Sequence, residues 1–387
     1  MWLTLMFAGT AVLFVAGTLS CLWHLRWVRR LPALETFASE GTNPAPRTTG
    51  RCSVVLAARN EEVRIEETVR RLLAQRDIEA EFIVVDDRST DRTGAILEQF
   101  AKTESRLRVI RINALPEGWL GKCHACHVGA AAATGEWILF TDGDCWLKPD
   151  VIARALRLAG RERVDHVTLT SGIAAPSPGL RACHLMFLLS MANWFSGVNR
   201  ARPRSYLGLG AFNLVRAAAY RECGGYEALR LTVLDDVKLG LLLRRAGKRT
   251  RAFLGADDVE CHWGTSVWSM IRIMEKNYFA TLEFRTPLAL GLCAFLALLI
   301  CIAVLGLVSR TPAGLAAALA PLAFILPAAI VARRIGWSWR AGWGAPFVMP
   351  IFLCALLNST FVTLRQGGIR WRDTFYSLDG LRAGGVR

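Results

Sequence analysis

The sequence predicts an α/β fold: a mostly parallel sheet covered by helices on both faces, carried between membrane-spanning helices at either end of the chain. Three observations predict it. Short apolar runs alternate with helical patterns from residue 51 onward, acidic clusters fall where two of those runs end, and long uncharged apolar stretches bracket the whole.

The opening stretch, MWLTLMFAGTAVLFVAGTLSCLWH, contains no Asp, Glu, Lys or Arg and is long enough to cross a bilayer core of about 30 Å. Residues 1–24 therefore read as a transmembrane helix. A cleaved signal peptide would want a basic start and a small-x-small site, and the stretch has neither. Arg26, Arg29 and Arg30 follow directly, so the positive-inside tendency puts the N-terminus outside and the next region in the cytoplasm. Residues 25–50 read as a basic juxtamembrane linker.

Residues 51–284 read as the soluble domain. CSVVLAA is a buried strand, and NEEVRIEETVRRLLAQ follows as an amphipathic helix with its acids early. EFIVVDD is a second strand, after which Asp91 is placed to cap the helix TGAILEQFAK. RLRVIRI, the Ala-rich stretch from Lys122 and EWILFTDGD repeat the pattern. In such sheets ligands bind beyond the carboxyl ends of the strands, and Asp86-Asp87 and Asp142-Gly143-Asp144 both fall there. Two acidic clusters at one sheet edge repel each other unless a cation or hydrogen-bond donors lie between them. Further on, VKLGLLLRRAG is helical by periodicity and closes at Gly247.

From residue 285 to 364 the chain is apolar again, with candidate spans at 288–308, 313–332 and 345–364. The intervening RRIGWSWRAGWG suits a cytoplasmic interfacial loop. Three full crossings would leave the basic tail, 365–387, outside, against the same rule. The last candidate, broken by Pro350 and carrying Asn358, Ser359 and Thr360, is therefore expected to be re-entrant or interfacial. Residues 180–198 are also apolar but carry Arg181, His184 and Asn193, and read as an interfacial helix.

The 387 residues are 53% hydrophobic, more than a soluble domain carries, and have a net charge of +15. Beside membrane helices, that charge points to anionic headgroups and a phosphate-bearing substrate; no RNA- or DNA-binding motif is present, and no nucleic acid is expected. The eleven cysteines are scattered through apolar spans and a domain read as cytoplasmic, so they are expected to be reduced, small buried hydrophobes. Cys123-His124-Ala125-Cys126-His127 spells the C-x-x-C-H of haem attachment. It sits in an Ala-rich helix with Cys123 and Cys126 on one face, and its four ligands do not converge on one side, so neither haem nor zinc is expected there.

VLAARNEE, VVDDRSTDRT, LPEGWLGK, FTDGD and LDDVKLGLLLRRAG occur in the order and approximate spacing seen in family 2 glycosyltransferases, and the sequence resembles that family. The flanking membrane segments look like those of ceramide glucosyltransferases and of carotenoid- and hopanoid-associated glycosyltransferases, and GGIRWRDTFY looks like the ending of that group. The resemblance implies a GT-A catalytic domain and an inverting transfer of sugar from a nucleotide-diphosphate donor to a lipid or lipid-linked hydroxyl. It implies a bacterial-type inner or cell membrane as the location, with the domain cytoplasmic. A processive polysaccharide synthase and a non-catalytic nucleotide-sugar-binding protein remain as alternatives.

Residue by residue, Arg59, Asn60 and Glu61 match the segment lying against the nucleotide, with Ala58 where a proline is common. Asp86, Asp87 and Ser89 match the group that holds base and ribose, and Lys122 matches a donor-binding position near a helix start. Asp142 and Asp144 match the D-x-D that meets the donor and a Mg²⁺ or Mn²⁺ ion, with Asp144 as the first metal contact and Asp142 as the second. Asp236 matches the general base and Asp235 its partner, where the family more often has Glu; each could instead be an N-cap. GLGAFNLVR, with Gly210, resembles the loop under the acceptor. Where many relatives carry Q-x-x-R-W this sequence has Lys276 and Asn277, and Lys276 could serve product phosphate as a point charge or belong to an ordinary surface helix. On this reading, residues 180–198 present the lipid to the catalytic edge.

Overall fold

A computed structural model describes residues 1–34, 36, 50–175, 177–262 and 264–386. Its centre is a seven-stranded sheet in the order β3-β2-β1-β4-β8-β6-β9. The strands are β1 (Cys52–Ala58), β2 (Ala80–Asp87), β3 (Leu107–Ile112), β4 (Trp137–Asp142), β6 (His166–Thr170), β8 (Asn213–Arg216) and β9 (Thr250–Leu254). A second sheet of β5 (Cys145–Leu147), β10 (Val259–Cys261) and β7 (Gly172–Ile173) lies beyond the end of β4. β3, β2, β1 and β4 are mutually parallel, whereas β8 runs antiparallel to both its neighbours.

Both faces of the main sheet are covered, which is why its strands read as continuous apolar runs. Val54 and Leu56 of β1 pack on one side with Ile65, Val69 and Leu72 of the helix Ile65–Leu73. Val55, one residue out of step, packs on the other with Cys123 and Cys126 of the helix Gly121–Ala131, as the two-residue period of a strand requires. That helix can lie close because Gly129 faces Val55; a Cβ there would come within 2.4 Å of a Val55 methyl.

Among the described residues, three helical segments are long and apolar enough to cross a membrane: Trp2–Trp27, Thr286–Ser309 and Pro312–Arg334. A fourth, Trp339–Phe347 with Met349–Gln366, is bent by 57°. The N-terminal helix packs on the C-terminal ones through Phe7, Ile302 and Ala317, and Arg334 donates to the backbone carbonyls of Leu25 and Val28. The bent pair thus starts beside the junction of the first helix with the sheet domain. It ends in a hairpin, β11 (Gly368–Trp371) and β12 (Thr374–Ser377), that lies on the sheet domain. Both ends lie on the domain's side. Two of the three polar residues that broke the apolar pattern have partners: Phe279 N–H donates to Ser359 Oγ at 2.9 Å, and Asn358 donates to Glu275 at 3.0 Å, while the buried Thr360 hydroxyl has none.

Three expectations change. The apolar stretch 180–198 is two helices, Pro178–Ser190 and Ala192–Asn199, broken at Met191, with Leu185, Leu189 and Phe195 buried against the C-terminal membrane helices. Of the linker expected over 25–50, residues 35 and 37–49 lie outside the described residues, while the stretch 25–31 is anchored: Leu254 N–H donates to Arg29 O at 2.8 Å, and buried Arg154 donates to Leu31 O and to both oxygens of Asp258. Within the expected tail, 365–387, residues 368–384 fold back as β11, β12 and the helix Leu378–Gly384.

Candidate active site

The carboxyl ends of β1, β2 and β4 open into one cavity of about 1360 Å³. Beyond β1 the chain turns through Asn60, whose φ of 52° lies in the left-handed region that Asn tolerates by bonding locally. Its Oδ1 accepts from Thr90 N–H at 2.8 Å and its N–H donates to Ser89 Oγ at 3.0 Å, while Glu61 N–H donates to Thr93 Oγ1 at 2.8 Å. The exit loops of β1 and β2 are thereby joined.

The two acids ending β2 do different things. Asp87 lies on the cavity wall, its oxygens held by Arg88 at 2.7 and 2.9 Å and facing Arg59 at 3.8 Å. Asp86 is fully buried; it accepts from Ser89 N–H at 3.1 Å, and its other oxygen lies 3.9 Å from Arg111 without a hydrogen bond. Asp86 and Ser89 shape the turn beneath the wall and do not line the cavity. Asp91, expected as a helix cap, accepts from Thr93 N–H at 2.9 Å although Arg92 occupies the cap position.

Acids far apart in sequence meet around Lys122. Its Nζ lies 2.7 Å from Asp142 Oδ1 and 3.7 Å from Asp235 Oδ2. Asp235 is buried and accepts from the Tyr226 hydroxyl at 3.0 Å. Asp236 accepts from Gly210 N–H at 2.6 Å and from Val237 N–H at 2.8 Å. Neither acid is an N-cap: Leu234 holds that position in the helix Asp235–Arg245, and both acids sit in the first turn, where unsatisfied N–H groups favour negative charge. Gly210 lies between the clusters, and a Cβ there would come within 2.7 Å of Asp142, 3.3 Å of Asp236 and 3.3 Å of Lys122.

The crowding of carboxylates shifts their protonation. Burial, then the charges of Asp142 and Glu61, pushes the Asp144 carboxyl up to about 6. Burial and Asp235 push Asp236 up to about 6 as well, with Lys122 opposing. Burial works against the Lys122 ammonium, but Asp142, Asp235 and Asp236 together hold it well above the usual range. Lys276 and Asn277 also line the cavity; burial and the like charge of Lys122 bring the Lys276 ammonium down to about 8, and it lies 3.5 Å over the Trp371 ring.

Asp142, Asp144 and Glu61 are oxygen donors whose mutual repulsion a divalent cation would relieve, so they fit the hard ion expected from the D-x-D. Cys145 and Cys261 stand beside Asp144, their sulfurs within 4.8 Å of its oxygen. Burial raises both thiols and keeps them protonated, which makes them poor ligands for such an ion. Cys123 and Cys126 are buried on the sheet-facing side of the helix Gly121–Ala131, with Trp119 against His124 and His127.

Two parts of the cavity wall had not been expected from the sequence. Leu288, Leu292 and Leu296, one turn apart on the membrane helix Thr286–Ser309, line it with Phe352 and Leu356; the four-residue repeat was hidden in a uniformly apolar stretch. The hairpin adds Arg370, Trp371, Arg372 and Tyr376. Its signal was alternation around WRD in a segment read as a basic tail.

Residues 53–224 match the profile of the family described as Glycosyl transferase family 2. A beta-monoglucosyldiacylglycerol synthase from Nostoc sp. is 30% identical over 216 residues, which span 54% of this chain and 42% of that protein. A 4,4'-diaponeurosporenoate glycosyltransferase from Staphylococcus haemolyticus is 25% identical over 213 residues, 54% of this chain and 55% of that protein. The chain thus spans about half the length of these relatives. Among solved structures, the mannosyltransferase PcManGT from Pyrobaculum calidifontis, in complex with GDP-Man and Mn²⁺, superimposes with a TM-score of 0.52 at 18% identity, covering 91% of this chain and 98% of that one. The fold is the GT-A fold, a mostly parallel sheet with helices. Asp235 and Asp236 lie beyond the matched residues 53–224.

Proposed function

We propose that this chain, which carries a family 2 glycosyltransferase domain, moves a sugar with inversion from a nucleotide-diphosphate donor to a hydroxyl of a membrane lipid or lipid-linked acceptor on the cytoplasmic face. One observation carries the reading: a single cavity runs from Asp142, Asp144 and Asp236 to the apolar side chains of Leu288, Leu292, Leu296, Phe352 and Leu356. Carboxylates at one end suit a cation and a sugar donor; hydrocarbon at the other suits an acyl or prenyl tail. That two relatives are named as a monoglucosyldiacylglycerol synthase and a diaponeurosporenoate glycosyltransferase supports an apolar acceptor.

In this reading Asp236 takes the proton of the acceptor hydroxyl as its oxygen bonds to the anomeric carbon, and the bond from that carbon to the diphosphate oxygen breaks with its electron pair leaving on the nucleoside diphosphate. The Gly210 N–H and the helix N-terminus hold the carboxylate in place, and burial keeps its proton affinity high enough to act near neutral pH. Asp142, Asp144 and Glu61 would hold Mg²⁺ or Mn²⁺, which, when bound, supplies Lewis-acid stabilisation of the departing diphosphate. Asp87, Arg59 and Asn60 form the donor wall, and Lys122 links Asp142 to Asp235. The Arg26, Arg29, Arg30 and Arg333, Arg334 clusters at the domain's side of the apolar helices favour the cytoplasm for that side.

The test is transfer of label from a panel of nucleotide sugars to extracted lipids, using membranes holding the wild-type chain, Asp236→Asn or Asp144→Asn. Label in lipid with wild type and its loss in both variants is expected. Full transfer by either variant refutes the assigned roles.

A further inference from the structure

The hairpin formed by β11 and β12 meets the catalytic domain at the donor end of the cavity. Asp373 accepts from Arg59 at 3.0 Å, and Arg372 pairs with Glu61, so two residues at the β1 exit are tied to the hairpin by charges of opposite sign. The Tyr376 hydroxyl accepts from the Gly121 N–H at 3.1 Å, the first N–H of the helix that carries Lys122. Trp371 faces the Lys276 ammonium. These contacts place the hairpin over the loops that the donor would meet.

Arg372 differs from the other members of this set. Its side chain is 45% exposed while its partner Glu61 is only 15% exposed, and Arg372 and Arg370 both line the cavity. A guanidinium presents a planar fork of donors matched to phosphate oxygens, and it stays charged at any relevant pH. Around Asp142, Asp144 and Glu61 the wall is anionic, and a diphosphate entering there meets repulsion unless positive groups close the opposite side.

We propose that Arg372, with Arg370 beside it, binds the diphosphate of the donor, making the hairpin a wall of the donor site. This rests on the reading that the donor is a nucleotide-diphosphate sugar. Arg372 is held at the rim by Glu61 and turns its fork to the phosphate oxygens when the nucleotide enters; Tyr376 and Asp373 keep the hairpin seated meanwhile.

The test is calorimetric titration of the full chain in detergent with UDP and with GDP at saturating Mn²⁺. Wild type is expected to bind one or both. Arg372→Ala is expected to weaken that binding about tenfold, and Arg372→Lys to restore part of it, as for loss of a charged hydrogen bond. Asp373→Asn, which loosens the hairpin at its Arg59 contact and leaves the carboxylates of the metal site in place, separates this from a clasp. If Arg372 acts only by pinning the hairpin, Asp373→Asn and Arg372→Ala weaken binding alike and the proposal fails; if it contacts phosphate, Arg372→Ala weakens binding clearly more. Equal binding by Arg372→Ala and wild type overturns the proposal and leaves the nucleotide reading intact. No binding of either nucleotide to wild type overturns both.

Discussion

Gly210 donates its backbone N–H to the carboxylate of Asp236 at 2.6 Å, and its missing side chain leaves the space in which Asp142, Asp236 and Lys122 approach one another. Gly210→Ala puts a methyl within 2.7 Å of Asp142 and is expected to cut turnover at least about tenfold, since small displacements of reacting groups cost that much or more. Gly160, where a Cβ would meet nothing within 4 Å, is the control: Gly160→Ala is expected to leave rates unchanged and to stabilise by about 0.5–1 kcal/mol. Initial rates and thermal melts of the two variants check this.

Asp236→Asn removes the proposed base and is expected to lower kcat by about 10²- to 10⁴-fold. The pH profile carries its own signature. A base must be ionised, and burial with Asp235 raises this carboxyl to about 6, so kcat/KM should fall as pH drops through about 6. Asp235→Asn removes the like charge and should move that limb to lower pH.

His166 is buried between Thr250, 3.1 Å away, and Asn213. Burial lowers its imidazole to about 4, below the unfolded value of about 6.5, so the unfolded chain binds the extra proton first. Stability from this residue is therefore complete above about pH 6.5 and declines as pH falls toward 4, by on the order of 3 kcal/mol. Melting temperatures between pH 7 and 4.5 should show the decline, and His166→Gln should flatten it.

Leu292→Trp or Leu296→Trp fills the apolar end of the cavity without touching the carboxylates. The expected outcome is a several-fold higher KM for the lipid acceptor with the KM for the donor unchanged. Equal effects on both substrates would show that the tail does not enter between these helices.

Much of the donor half was legible because local rules build it. Cys52–Ala58 and Trp137–Asp142 are short, mostly apolar runs, so their ends, and therefore Asp142 and Asp144, could be placed without knowing the sheet order. What could not be read depends on pairing across long separations. β8 is four residues long and enters the sheet antiparallel, with nothing in NLVR to announce it. The division between Asp86 and Asp87 turns on which face of one strand end meets the cavity. Lys122 was legible as a cation near a helix start, but its partners Asp142 and Asp235 come from other elements. The hairpin was missed because its charges, counted as a basic tail, are spent on Glu61 and Arg59.

The link between Arg59 and Asp373 spans 314 residues, and every apolar helix after the catalytic domain is synthesised between them. A cavity that needs the hairpin for one wall is therefore incomplete until those helices have been made. If they enter the bilayer as proposed, insertion precedes closure of the cavity, and a chain ending before them lacks one side of the cleft.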